Sequence, residues 1–206
     1  MLIVFFSDAE GVIYREFLHE GQKVNAEFYV GVLDRLLKKI WRVRTAKFQS
    51  SEWFLFHDNA PSHNAATVKK FLANRNVAVL QHPPYSPDLA PANYFLFPKF
   101  KFPLKGRHLQ TVEEIQCAVT RELNNISKTA FLEGMKKLKE RATDVLIKEE
   151  CIWKNTNKWF PYKKLSIFYN TCLKTFGSHL VLSTYICWKK YIKCNIWRVA
   201  VRPSYI

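Results

Sequence analysis

No acidic residue follows Glu150. All 17 Asp and Glu lie in 1–150, where 22 Lys and Arg leave a net charge of +5. The last 56 residues carry 10 basic residues and therefore +10. An evolved surface normally mixes both signs, so the two stretches differ in kind. Cysteine is also sparse. Cys117, Cys151, Cys172, Cys187 and Cys194 are odd in number, widely spaced and without a C-x2-C pair. That excludes a secreted disulfide framework and leaves a zinc site unsupported. Six Gly and nine Pro are too few for a fibrous or linker protein. Long apolar runs are missing as well. The stretch 165–187 is interrupted by Lys174 and His179, whereas a membrane span needs about 20 mostly apolar residues. The start, MLIVFFSDAEG, lacks the basic region and the length of a signal peptide and reads as a strand. The expectation is a soluble, intracellular protein with no membrane partner.

What is present can build a core. The 206 residues are 48% hydrophobic and 15% aromatic, enough for one domain with an extension. A net charge of +15 points to a polyanionic partner, nucleic acid before membrane surface.

Along the chain, 2–18 reads as a hairpin, with Ser7 to Gly11 as its turn. Asn25 is positioned to cap a helix from Ala26 to about Trp41, with Phe28, Val32, Leu33, Leu36 and Leu37 at helical spacing. Trp53 to His57 and Val77 to Leu80 read as short buried strands. Ser62 is the candidate cap of a helix reaching Ala73. His82 to Pro91 holds four prolines in ten residues, a rigid loop shaped by Pro84 and Tyr85. Asp88 would cap the helix that follows, which carries Asn93, Leu96, Phe97 and Phe100 and is interrupted by Pro98 and Pro103. Thr111-x-x-Glu114 is a capping box, and Ser127 to Ile147 is a longer amphipathic helix. The order ββαβαβ followed by helices predicts an α/β chain with a mixed sheet. Domain boundaries follow the charge: 1–150 folds, and 151–206 is an irregular, basic, aromatic-rich extension. That extension is either a nucleic-acid-binding tail or a segment under little selection.

The strand 53–57 runs into Asp58, and open α/β sheets place their sites at such carboxyl ends. An ordinary Asp-Asn turn before Pro61 is the alternative. Asp58 and Asn93 have 34 residues between them. His57 and His63 flank Asp58 as metal ligands or as turn and helix-start residues. Lys99, Lys101, Lys105 and Arg107, interleaved with Phe100 and Phe102, suit a phosphate backbone or a solvated basic face.

The segments HDNAPSH and YSPDLAPANYFLFPKFKFPLKGRHL, preceded by SDAEGVIYREFLHEGQKVNAEFYVGVLDRL, resemble the catalytic domain of mariner transposases over roughly residues 3–150. The resemblance implies an RNase H-like fold and three catalytic Asp residues, the last two separated by 34. It also implies two Mg²⁺ or Mn²⁺ ions that drive DNA strand cleavage and transfer. Asp58 matches the second Asp. Asn93 stands at the third position, as it does in the mariner part of the SET-domain–mariner fusion protein. The first Asp is expected on a strand before the hairpin, in the centre of a sheet ordered 3-2-1-4-5, and this sequence is expected to lack that strand. Asp8 lies in the hairpin turn and is no substitute. Without the first strand, the hairpin and strand 53–57 either pair directly, antiparallel, or leave an open apolar edge. The family's partners are transposon inverted repeats and a second transposase copy, in the nucleus. Three readings follow: an active transposase, an inert one with residual DNA binding, or a domesticated mariner module in DNA repair.

Overall fold

The computed structural model describes residues 2–18, 21–49, 53–83, 86–107, 109–156 and 180–187. Strand β1 (Leu2–Asp8) turns through Ala9 and Glu10 into β2 (Gly11–Leu18). The tight reversal is made possible by Gly11, whose φ of 132° suits a residue without Cβ. Helix α1 (Ala26–Val43) begins where the Asn25 side chain accepts from the Phe28 N–H, and the short α2 (Thr45–Gln49) follows. Next come β3 (Trp53–His57), α3 (Pro61–Asn64), α4 (Ala66–Asn74) and β4 (Ala78–Gln81). The single helix expected from Ser62 is instead two, because Ala65 adopts an extended ψ of 145° between them.

Beyond β4, a 3₁₀ turn (Pro87–Leu89) and a π turn (Ala92–Leu96) lead into α5 (Phe97–Leu104). Asp88 lies inside the 3₁₀ turn and makes no side-chain cap, which corrects its expected role. Pro98 does not interrupt the helix. It falls in the first turn of α5, where a missing N–H costs no bond. Helix α6 (Val112–Asn124) starts on the expected capping box of Thr111 and Glu114, and α7 runs Lys128–Thr156.

One sheet has the order β2-β1-β5-β3-β4, and β5 is Leu180–Cys187. It pairs antiparallel with β1, from Ile3 with Cys187 to Ser7 with Ser183. It pairs parallel with β3, from Trp53 with Leu180 to Phe56 with Ser183. Both outcomes expected for the hairpin and strand 53–57 are thereby overturned: they neither pair directly nor leave an edge. A strand from the far end of the chain sits in the central place. Two parts of the segment expected to be irregular are regular, since α7 runs past residue 150 and β5 belongs to the sheet. Residues 157–179 and 188–206 lie outside the described residues, as do Pro84 and Tyr85.

The period of two in β1 sends neighbours to opposite faces. Val4 and Phe6 pack with Tyr29, Leu33, Leu36, Leu55 and Leu72 on the α1 side. Phe5 packs with Leu96, Phe97, Ile115 and Phe131 on the α5–α7 side. Phe56 joins Leu80, Leu89 and Leu138 in a third group, under the loop that follows β4. A fully buried Phe contributes about 1.5–3 kcal/mol, so the sheet is held from both faces. Among the described residues, no helix is long and apolar enough to cross a membrane.

Candidate active site

Asp58 follows the last residue of β3, at the carboxyl end of a strand paired on both sides, with β5 and with β4. Its side chain is 56% exposed. Oδ1 accepts the Ala60 N–H at 3.1 Å, an Asx-type turn that starts the path into α3. The same oxygen lies 2.7 Å from His63 Nδ1. That approach is short but misaligned, because neither ring nitrogen of the buried His63 meets hydrogen-bond geometry. We read it as an electrostatic contact rather than a directed bond. Desolvation works to raise the Asp58 carboxyl, but His63 and the Ala60 N–H outweigh it and hold it below the usual range.

The two histidines flanking Asp58 belong to an aromatic stack. Tyr29, from α1, lies 4.0 Å from the His63 ring and 6.1 Å from the His57 ring, and the two imidazoles are 5.3 Å apart. His57 Nδ1 is 3.3 Å from the Tyr29 hydroxyl. Burial, then the neighbouring His63, pushes His57 down to about 4. His82 packs on Phe56 at 5.1 Å and is also lowered, chiefly by burial. Its carbonyl accepts from Asn59 Nδ2 at 2.8 Å, tying the loop after β3 to the loop after β4. His57 and His63 therefore support the carboxylate from behind. Among the described residues, no three His, Cys, Asp or Glu are grouped to hold a metal ion.

Asn93 is exposed and sits in the π turn. Its backbone N–H donates to Ala90 O at 2.8 Å, and its Nδ2 donates to Pro87 O at 3.1 Å. The proline-rich loop thus fixes Asn93 through its amide nitrogen and leaves one neutral oxygen. Of the basic candidates, Arg107 faces Glu122 at 3.6 Å and Lys101 lies over the Phe97 ring at 5.3 Å. Lys99 and Lys105 are exposed. Lys99 lines a groove of about 520 Å³ between α5 and α7, with Phe102, Lys137 and Arg141.

Asp8 does more than the turn role expected of it, in which it accepts the Glu10 N–H at 2.8 Å. It ends β1 with a side chain that is 0% exposed and bound by Arg44, Nε to Oδ2 at 2.9 Å. Sequence reasoning missed Tyr29 and His82. Tyr29 was detectable, because the buried set Tyr29, Val32, Leu33, Leu36, Leu37 and Ile40 keeps the helical period better than one beginning at Phe28.

The chain is 35% identical to the mariner Mos1 transposase of Drosophila mauritiana over 142 residues, 68% of this chain and 41% of that one. It is 29% identical to the human histone-lysine N-methyltransferase SETMAR over 141 residues, 68% of this chain and 21% of that one. The chain thus spans well under half the length of these relatives. A crystal structure of the Mos1 catalytic domain superposes with a TM-score of 0.63 at 35% identity, covering 68% of this chain and 69% of that one. The Mos1 catalytic domain with Raltegravir and Mn superposes at 0.65 and 32% identity, over 77% and 76%. The Mos1 paired-end complex with Mn superposes at 0.63 and 36% identity, over 68% and 40%. The RNase H-like fold expected from the motifs is therefore present. Residues 4–116 match the model of the DDE superfamily endonucleases, and the chain belongs to that family.

Proposed function

We propose that this chain is a mariner-type transposase catalytic domain that binds DNA in the nucleus and does not cut it. The observation that carries the reading is Asn93, an amide at the second of the two motif positions, anchored by its nitrogen to Pro87 O. Two hard cations about 4 Å apart need anionic oxygens that clamp or bridge them. Asp58 supplies one carboxylate and Asn93 one neutral oxygen. The donor set does not fit a pair of Mg²⁺ or Mn²⁺ ions, so no cleavage step is assigned to these residues. DNA contact rests on the exposed Lys99 and Lys105 and on the +10 charge of residues 151–206. Recognition of inverted repeats and assembly into a dimer belong to the same reading, by analogy with the Mos1 paired-end complex.

The test is a nicking assay on a mariner-end duplex with Mg²⁺ and with Mn²⁺, using the unmodified chain and Asp58→Ala. Neither protein should nick. Cleavage by the unmodified chain that vanishes in Asp58→Ala would overturn the inert reading and restore the active transposase. A second reading, a domesticated mariner module in DNA repair, is favoured by the similarity to SETMAR. It predicts binding to DNA ends or junctions in preference to uninterrupted duplex, read by competition.

A further inference from the structure

The groove of about 520 Å³ between α5 and α7 is lined by neither Asp58 nor Asn93. Its size falls in the range of about 300–1,000 Å³ that takes a small organic ligand. One wall is a helical face of α7, where Glu133, Gly134, Lys137 and Arg141 recur at i, i+1, i+4 and i+8. The other wall is α5, which contributes Lys99 and Phe102. Gly134 lets the two walls approach closely. A Cβ there would stand 2.7 Å from the Phe95 ring, and the Gly134 carbonyl accepts from the Tyr94 hydroxyl at 2.9 Å. Arg141 is held in place as well. Its guanidinium lies over the Tyr94 ring at 4.3 Å, and Nη1 donates to Asp88 O at 3.4 Å.

Positive charge and aromatic surface meet in this groove. Lys99, Lys137 and Arg141 stand against one carboxylate, Glu133. Lys99 and Lys137 are exposed, and neither pairs with a carboxylate among the described residues. Phe102 is 84% exposed, more than any other large apolar side chain among the described residues. Pro98 and Pro103 both lie in its helix and fix the backbone that carries the ring. A flat ring that shares a groove with unpaired ammonium groups suits a base on the ring and phosphates on the lysines. A duplex keeps its base faces in the stack, so the matching ligand is an unpaired strand. An acidic peptide would satisfy the charges but would bring no flat face to the ring.

We propose that the α5–α7 groove docks single-stranded DNA, with an unpaired base stacked on Phe102 and the flanking phosphates on Lys99 and Lys137. The proposal rests on the DNA-binding reading above and deepens it, by naming the form of the strand and the place that holds it.

The test is fluorescence anisotropy on the full chain with three labelled probes: a thymidine oligomer, an abasic oligomer of the same length, and a duplex. The abasic probe keeps the phosphates and removes the bases. The unmodified chain should prefer thymidine to abasic strands by about fivefold or more, the low end for one stacked base. Phe102→Ala should abolish that preference and leave abasic binding unchanged. Lys137→Gln should weaken both oligomers alike and lower the salt slope by about 0.7. Trp41→Ala, at an aromatic side chain on α1 that is 56% exposed, should keep the preference. No preference in the unmodified chain, or one that survives Phe102→Ala, overturns the proposal. Displacement of the thymidine oligomer by a polyglutamate peptide as readily as by unlabelled thymidine oligomer also overturns it, in favour of an acidic peptide partner. Duplex binding that persists without the preference sinks this inference alone, whereas failure to bind any of the three probes sinks the DNA-binding reading with it.

Discussion

Arg44→Met should be among the most damaging single changes in this chain, for a reason at the end of β1. Asp8 is 0% exposed and Arg44 16% exposed. The guanidinium reaches both carboxylate oxygens, Nε to Oδ2 at 2.9 Å and Nη2 to Oδ1 at 3.4 Å. Asp8 also accepts the Glu10 N–H at 2.8 Å, which closes the hairpin. Burial works to lower Arg44, but its bond and charge contact with Asp8 win and hold it above its usual value. Methionine keeps the apolar stem and removes the charge, leaving a buried carboxylate with one N–H. Breaking a buried pair from one side costs about 3–5 kcal/mol. Arg44 is partly wetted, so about 3 kcal/mol is expected, against a typical total of about 5–15 kcal/mol. Asp8→Asn keeps an acceptor for Glu10 and should cost about 1–2 kcal/mol. The double variant should cost little more than Asp8→Asn alone, a coupling of about 2 kcal/mol. Urea unfolding followed by circular dichroism reads this as a midpoint about 1–3 M lower for Arg44→Met, at slopes of about 1–3 kcal/mol/M. A midpoint that moves by less than about 0.3 M, or single costs that simply add, would refute the reasoning.

Acid should weaken the fold through His57. Its folded value of about 4 lies below the unfolded 6.5, so protons bind the unfolded chain first and stability falls as pH drops from about 6.5 towards 4. Linkage gives a loss of about 2 kcal/mol by pH 5. His57→Gln should show a loss smaller by that amount in urea midpoints compared at pH 7 and pH 5, and equal losses in the two proteins would count against it. Binding to duplex DNA should depend on salt with about 0.9 of slope per phosphate neutralised. Lys99→Gln/Lys105→Gln should flatten the slope by about 1.8, and Lys189→Gln/Lys190→Gln/Lys193→Gln by about 2.7. Fluorescence anisotropy measures both, and an unchanged slope removes that group from the interface. Gly134→Ala should lower the Tm by several degrees, because its Cβ would meet the Phe95 ring at 2.7 Å and overpacking costs about 1–3 kcal/mol. Adding Phe95→Leu should restore most of the loss in a thermal melt, and no restoration would place the strain elsewhere.

Local signals carried the parts of the fold that were legible in advance. The hairpin, the Asn25 cap and the Thr111–Glu114 box each depend on residues a few positions apart, and each stands where expected. Strand β5 depends on partners more than a hundred residues away in β1 and β3. Nothing local in LVLSTYIC announces a central seat, although its Val, Thr, Tyr and Ile are good strand formers. The irregular character expected of the whole tail left no strand expected there. Asp8 was misread for the same kind of reason. Its turn chemistry is real, since it accepts from Glu10, but Arg44 lies 36 residues further along and only tertiary packing brings it in.

The site was legible as positions and not as surroundings. The spacing of Asp58 and Asn93 follows from two motifs, and each motif states its own side chain. What the carboxylate and the amide can do depends on neighbours that no motif states. Tyr29 comes from α1 and His63 from α3, and together they hold the region behind Asp58. Pro87 holds the Asn93 amide by its nitrogen. That bond bears on any attempt to rebuild the site. In Asn93→Asp the Nδ2 donor is lost, and an oxygen that stayed in its place would face the Pro87 carbonyl, so the new carboxylate must turn away. Because Asn93 is exposed, the lost bond costs only about 0.5–1.5 kcal/mol, and the freed oxygens can reach for a cation. One more carboxylate at the loop end therefore remains short of a two-ion site, which needs anionic groups that clamp or bridge both cations.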